Sequence, residues 1–323
     1  MRPEHAGSVA AIDCGTNSTR LLIVDAAGKT LERRMRITRL GEGVDATHEL
    51  SPEAITRTVE VLRSYRRLMD VHHVTRARLV ATSATRDAAN AQEFSSSVEA
   101  ATGLAPEVLS GDEEGRLSFA GATASLDETW RDSGPVLVVD IGGGSTEVVA
   151  GLVRDEVPAA GSDEVVAVSL DIGCVRVSER FFHHDPPRQG ELTEARAFVR
   201  DVLSRAEVKL PKLAAGGVVV GLAGTVSTLA MLEARIDQYD RALVHHAVLE
   251  RDRVASWLET LANEDRAARI VRPGMVRGRE DVIVGGVLIL DAVMDLFDRA
   301  LCLVSEDDIL DGMAAAMRPQ RRA

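Results

Sequence analysis

Two stretches of this 323-residue chain combine residue types suited to phosphate chemistry. VVDIGGGSTEVV, residues 138–149, is an apolar run closed by Asp140, followed by three glycines, Ser-Thr, and a second apolar run headed by Glu147. AAIDCGTNSTRLLIVD, residues 10–25, repeats it, with Asp13 over Asp140, Gly15 over Gly142, Ser18 over Ser145 and Thr19 over Thr146. A glycine cluster after a strand opens a helix in a dinucleotide-binding fold, and a P-loop ends in Gly-Lys-Ser/Thr at a helix start. Neither pattern fits, because STEVVAGLV and STRLLIVD both read as strands. Each loop is therefore the tip of a β-hairpin, where backbone N–H groups and hydroxyls can wrap phosphate oxygens. Turn formation alone explains the glycines of one copy. It does not explain an aspartate ending a buried strand in both copies, which is costly unless a metal ion or a polarised water faces it.

The elements that position these loops follow from local pattern. A helix is predicted over 51–69, with Ser51 as N-cap and Pro52 in its first turn, then a strand over 77–81. TSATRDAANAQEFSSSVEAATG reads as a strand end, a turn and a helix stopped by Gly103, and Arg86 falls in that turn, where its side chain can project into a cleft. A strand over 107–109 precedes a helix beginning near Asp112. Residues 130–135 form the best linker. Strands are then predicted at 136–140, 146–153, 165–170, 218–221 and 301–304. Helices follow Gly173 and Gly224, cover 193–210, 250–262 and 279–297, and begin again near Glu306. This alternation makes the class α/β, and the repeat makes the halves related domains.

Composition narrows the function. The net charge of −12 argues against nonspecific nucleic-acid binding driven by a basic surface. No run approaches eighteen apolar residues and the N-terminus has no apolar signal region, so a cytoplasmic protein without a membrane span is expected. Cys14, Cys174 and Cys302 are widely separated in apolar surroundings and read as buried, reduced thiols. His183-His184-Asp185 lacks further spaced ligands and is followed by two prolines, which argues against a metal phosphohydrolase site. His72-His73 and His245-His246 read as solvent-facing pairs; Arg272, Arg277 and Arg279, around glycines near a helix start, could extend a phosphate path, and a solvated charge cluster is the favoured reading.

The doubled hairpin resembles the actin, hexokinase and sugar-kinase superfamily, whose third glycine turn is matched by GLAGTVSTLA. More closely, AAIDCGTNSTRLLI, ATSATRDAAN, SGDEEGRLSFAG, VVDIGGGSTEVV, DIGCVRVSERF and GLAGTVSTL resemble, in order and over nearly the whole chain, the exopolyphosphatase and guanosine pentaphosphate phosphohydrolase family. The resemblance implies two ribonuclease-H-like domains of the actin-like ATPase superfamily with an interdomain cleft. Their expected extents are 1–130 and 131–304, with a C-terminal helix at about 305–323 packing back on the first. It also implies a homodimer, with inorganic polyphosphate or guanosine pentaphosphate, a stringent-response nucleotide, as substrate.

Hydrolysis of a phosphoanhydride needs phosphate neutralisation, an in-line water and a base. Asp140 and Glu147 flank the second tip and suit Mg²⁺, with Mn²⁺ as the alternative; a solvated strand residue is the less favoured reading of Glu147. Asp13 can do similar work, and Arg20 replaces Glu147 in the first copy, as a substrate contact or a structural ion pair. The resemblance places the base in the Glu113–Glu114 pair, with Glu114 assigned and Glu113 the alternative, although acidic residues also suit a helix start. It places the substrate against Asp13, Gly15, Thr16, Asn17, Ser18 and Arg86, against Gly142, Gly143, Gly144, Ser145 and Thr146, and at Gly224 and Thr225. The chain ends without the C-terminal HD-like region of longer relatives, and Leu310 stands where family members often have arginine, which together favour short polyphosphate. A non-hydrolytic phosphate sensor is the rival of a different class, and the Glu113–Glu114 pair beside a polyanion argues against it.

Overall fold

The computed structural model describes residues 7–153, 165–210 and 217–318. The chain divides into two compact units, one running to Ser110 and resuming at Ile309, the other covering Gly111 to Asp308.

The first unit contains β1 (Ser8–Cys14), β2 (Ser18–Val24), β3 (Thr30–Ile37), α1 (Val44–Thr47), α2 (Pro52–Val71), β4 (Val74–Ala81), α3 (Ser83–Asp87), α4 (Ala91–Thr102) and β5 (Glu107–Val108). Its sheet has the order β3-β2-β1-β4-β5, with the first three strands antiparallel and the last two parallel to β1. The Ser51 side chain caps α2 by accepting the Ala54 N–H at 3.2 Å, and Gly103, at φ 72°, ends α4 in the left-handed region that favours glycine. One face of the sheet buries Ile12, Leu21 and Ile23 against Leu62 and Tyr65 of α2 and Phe94 of α4.

The second unit contains α5 (Gly111–Ala124), α6 (Glu128–Arg131), β6 (Val136–Ile141), β7 (Thr146–Gly151), β8 (Val165–Leu170), α7 (Cys174–Phe181), α8 (Gln189–Lys209), β9 (Val219–Leu222), α9 (Ala223–Ala234), α10 (Arg241–Val244), β10 (Val248–Glu250), α11 (Arg251–Ala262), α12 (Arg266–Ile270), α13 (Ile283–Leu296) and β11 (Leu301–Val304). Its sheet order is β10-β11-β9-β6-β7-β8. Read from β8, the order of the first unit recurs: three antiparallel strands, then two parallel ones, with β10 added at the edge. This duplicated order is the architecture of two ribonuclease-H-like domains.

The partition differs from the boundary drawn at 130. Helix α5 packs on β6, β7 and β8 and so belongs to the second unit. Its glycines are the physical cause: a Cβ at Gly111 would fall 2.1 Å from Ser169 Cβ, and one at Gly115 would fall 2.9 Å from Val149 Cγ2. The compositional linker at 130–135 is an internal connection between α6 and β6. The last helix, α14 (Ile309–Met317), starts three residues later than the sequence suggested and belongs to the first unit, where it packs on β1 and β2 and Asp311 pairs with Arg33. Residues 319–323 of the expected C-terminal helix lie outside the described residues. Strands β3 and β10 are not among the expected strands; both lie at sheet edges, and β3 is the charged segment TLERRMRI.

Candidate active site

Both hairpins close in the same way. The Gly15 N–H donates to the Ser18 carbonyl at 3.0 Å, and the Gly142 N–H donates to the Ser145 carbonyl at 3.0 Å. These two N–H groups are spent on the turns, so any phosphate-binding amides come from the residues between. Strand register sets Asp13 opposite Arg20 and Asp140 opposite Glu147, as the repeat requires.

In the second unit the register extends further. Glu147 of β7 stands opposite Ser169 of β8, so Asp140, Glu147 and Ser169 form one row across three strands. Residues directly opposite each other share a sheet face. Helix α5 crosses that row. Gly111 lies over Ser169, Gly115 beside Glu147, and the Ser118 hydroxyl donates to Asp140 Oδ2 at 2.8 Å. Ser169 donates to Glu147 Oε1 at 2.7 Å. Glu147 is only 1 % exposed and Asp140 7 %, so the solvated-strand reading of Glu147 does not hold.

Helical geometry separates the two glutamates. With about 100° per residue, Gly111, Gly115, Ser118 and Ala122 make the sheet-facing stripe, and Glu113 points nearly opposite to it. Glu113 is accordingly exposed. Glu114, four residues before Ser118, flanks the stripe and is half-buried. Phe119, on the other flank, joins the cluster of Val136, Val138, Val149 and Val165, which lies down the strands away from the hairpin tip. Glu114 therefore occupies the edge of α5 that faces the tip.

The tip is held from below by α7. The N–H groups of Cys174, Val175 and Arg176 donate to the Gly142 and Gly143 carbonyls. A Cβ at Gly173 would stand 2.3 Å from the Gly143 oxygen, so this approach requires glycine. Gly142 and Gly143 are half-exposed, and Gly144 and Ser145 are buried. Thr146 is fully buried and its hydroxyl donates to the Ile172 carbonyl at 2.6 Å, a structural commitment in place of the substrate contact expected for it.

The third glycine turn follows directly, since Leu222, at the end of β9, pairs with Asp140. Gly224 lies in the first turn of α9, and the Arg279 guanidinium packs against it: a Cβ there would fall 1.7 Å from the guanidinium carbon. Arg279 is 7 % exposed and is not the solvated charge its sequence context suggested. Arg272 is paired with Glu264, while Arg277 is exposed. Thr225 is buried against Gly286 of α13.

The first unit presents a different pair. Arg20 donates to Asp13 Oδ2 through Nε at 3.0 Å and through a terminal nitrogen at 2.6 Å, while Asp13 is buried. This row carries an ion pair, not two acids. Thr16 and Asn17 are buried at the tip, Gly15 and Ser18 are half-buried, and the Gly41 N–H donates to the Thr16 carbonyl at 2.8 Å. Arg86 lies on the short helix α3 and not in an open turn; it is half-buried, and donates to the Leu109 carbonyl at 2.8 Å.

Other candidate groups have structural roles. Asp185 of the His-His-Asp stretch accepts from Arg269 and from the Arg266 N–H, and His184 pairs with Glu191. The three cysteines are free and buried; burial pushes their thiols up, Cys302 to about 12. His245 and His246 are half-buried and stacked, ring centroids 3.8 Å apart, and His72 is half-buried against Glu32, so of these pairs only His73 is exposed as expected.

The residues matched by the Ppx/GppA phosphatase family model are 12–320, a span containing both hairpin tips, Arg86, the Glu113–Glu114 pair and Arg279. The chain belongs to the Ppx/GppA phosphatase family. It is 42 % identical over 326 residues to Exopolyphosphatase 2 of Mycobacterium tuberculosis, covering 96 % of this chain and 98 % of that protein. Among solved structures, the Aquifex aeolicus Ppx/GppA family member matches with a TM-score of 0.77 at 33 % identity, covering 98 % of this chain and 99 % of the other. An exopolyphosphatase from Cytophaga hutchinsonii matches with a TM-score of 0.85 at 25 % identity, covering 96 % and 97 %.

For this Ppx/GppA phosphatase, two neighbouring buried carboxylates are an all-oxygen donor set suited to a hard divalent cation. Among the described residues no group of three or more His, Cys, Asp or Glu side chains is placed to hold a metal. A divalent cation that keeps several waters takes only one or two carboxylates from the protein, together with substrate phosphates. No helix among the described residues is long and apolar enough to cross a membrane.

Proposed function

We propose that the protein is an exopolyphosphatase that hydrolyses the terminal phosphoanhydride bond of inorganic polyphosphate. The observation carrying this reading is the row of Asp140 and Glu147 lying under α5, with Glu114 on the tip-facing edge of the same helix. Its full-length likeness to Exopolyphosphatase 2 supports the substrate class. Glu114 takes a proton from the attacking water as the water oxygen bonds to the terminal phosphorus, and the bridging oxygen leaves with the shortened chain. N–H groups between Gly142 and Ser145 face the charge that builds on the phosphoryl oxygens. Asp140 and Glu147 would hold Mg²⁺, which would neutralise phosphate charge when bound. Leu310 is buried in α14 and brings no guanidinium to the position where the family often has arginine, which supports a preference for short chains.

Phosphate release from tripolyphosphate, long-chain polyphosphate and guanosine pentaphosphate, with and without Mg²⁺, tests the proposal. Mg²⁺-dependent release from tripolyphosphate is expected. Faster release from guanosine pentaphosphate would reassign the substrate, and no release from any of the three would leave a phosphate-binding protein without hydrolysis.

A further inference from the structure

We propose that Ser118 and Ser169 are positioning residues of the cation site, each fixing one oxygen of a metal-binding carboxylate before the cation arrives. The inference rests on the reading that Asp140 and Glu147 hold the cation, and it concerns how they are kept in place. Register alone sets the two carboxylates on adjacent strands, with their Cβ atoms about 4.5–5.5 Å apart. Side chains of like charge on facing positions repel, so holding both carboxylates in one site needs partners that fix their side-chain torsions. The structure supplies one hydroxyl for each. Ser118, fully buried on α5, donates to Asp140 Oδ2 at 2.8 Å, and Ser169, the next residue in the row, donates to Glu147 Oε1 at 2.7 Å.

These hydroxyls come from two different elements. Ser169 comes from the sheet edge and Ser118 from the helix above, so the pair of acids is gripped at both ends of the row. The close seat of α5 belongs to the same device. Gly111 leaves room for Ser169, since a Cβ there would fall 2.4 Å from its hydroxyl oxygen, and Gly115 leaves room for the Glu147 side chain. A serine that only satisfied a buried oxygen would affect stability. One that orients a metal-binding carboxylate sets cation affinity, and outer hydrogen-bond partners of this kind typically change it by about 10–100-fold.

The test uses the full chain and Mn²⁺ binding followed by electron paramagnetic resonance without substrate. It is paired with the Mg²⁺ concentration giving half-maximal phosphate release from tripolyphosphate. Ser118→Ala and Ser169→Ala should each weaken Mn²⁺ binding and raise the Mg²⁺ requirement by about tenfold or more, with most of kcat recovered at saturating Mg²⁺. Ser118→Thr, which keeps the hydroxyl, should restore affinity relative to Ser118→Ala. Thermal unfolding without cation checks that the variants are folded, and Ser169→Ala, at a half-buried position, stands if Ser118→Ala does not fold. Asp140→Asn separates the two ideas. If it abolishes Mn²⁺ binding while both alanine variants bind as the parent does, the positioning role is overturned and the carboxylate assignment stands. If it binds Mn²⁺ unchanged, both fall.

Discussion

Replacing Gly115 with alanine asks whether α5 is a seat for the site or simply a packed helix. The added methyl would lie 2.9 Å from Val149 Cγ2, 3.3 Å from Ala167 Cβ and 3.6 Å from Glu147 Cβ. Carbon atoms rest at about 3.5–4.0 Å, so α5 must rise from the sheet by roughly half an ångström, or Val149 must turn aside. Two energies oppose each other. Alanine in a helix interior gains about 1 kcal/mol over glycine, and overpacking costs about 1–3 kcal/mol. The net change is a loss of about 0–2 kcal/mol, a fall in Tm of at most about 8 °C for a unit of this size.

Activity should respond more strongly than stability. Ser118 lies within one turn of Gly115 and Glu114 is its neighbour, so a lifted helix moves both the support of Asp140 and the proposed base. A misplacement of about 1 Å can cost about a hundredfold in rate, and half of that predicts roughly a tenfold fall in kcat for phosphate release from tripolyphosphate. Gly190 in α8 is the control, because nothing lies within 4 Å of an added Cβ there. Gly190→Ala should leave kcat unchanged and stabilise by up to about 1 kcal/mol. If Gly115→Ala behaves like Gly190→Ala, with kcat intact and Tm raised, the seating argument is refuted.

Glu114→Gln should lose at least about a hundredfold in kcat while Glu113→Gln stays within about threefold; equal losses would remove the helical-face argument that separates them. Arg20→Met leaves Asp13 buried without its guanidinium and should destabilise by about 3 kcal/mol in denaturant unfolding, with Asp13→Asn recovering part of that in the double variant. Strict additivity of the two changes would show that the pair is not coupled. His246, stacked on His245, is held below its ordinary 6.5 by burial; Asp307 and Asp127 oppose that shift and Arg241 reinforces it. Below about pH 6.5 the unfolded chain therefore takes up a proton that the folded one resists, so this contribution to stability is lost as pH falls. His246→Asn tolerates the φ of 64° and should flatten the decline in Tm between pH 7 and 5, and an unchanged slope would exclude His246 as its source.

Much of the site was readable because a local duplication carried it. Asp-x-Gly followed by Ser-Thr and β-branched residues dictates a hairpin, and hairpin register then fixes Asp140 opposite Glu147. Ser51, Pro52 and Gly103 likewise mark helix ends by local chemistry. What escaped depends on long-range packing. Ser169 meets Glu147 only through the β7–β8 register, and a single sequence does not specify which strand follows at the edge. Arg279 looks like one of several surface arginines until α9 is laid beside it. The grouping of α5 with the second unit is hidden for the same reason, since its place is set by contact with a sheet formed later in the chain. A signal was present in Gly111, Gly115 and Ser118, a small-residue stripe at helical spacing beginning just before the acidic pair.

The two hairpins share a turn hydrogen bond and a strand register, so their difference in chemistry lies in side chains. Where one copy has Arg20, the other has Glu147. In the first row arginine pairs with Asp13, and in the second glutamate sets another acid opposite Asp140. The wider charge distribution follows the same division: residues of the first unit include 17 basic and 15 acidic side chains, those of the second 21 and 35. An acidic unit is a poor place to bind a polyanion by charge alone. It becomes a suitable one if a divalent cation is held where the acids are paired, because the cation then joins carboxylates and phosphates that would otherwise repel. The single exchange of arginine for glutamate between the copies thus accounts for why one unit, and not both, should carry the cation.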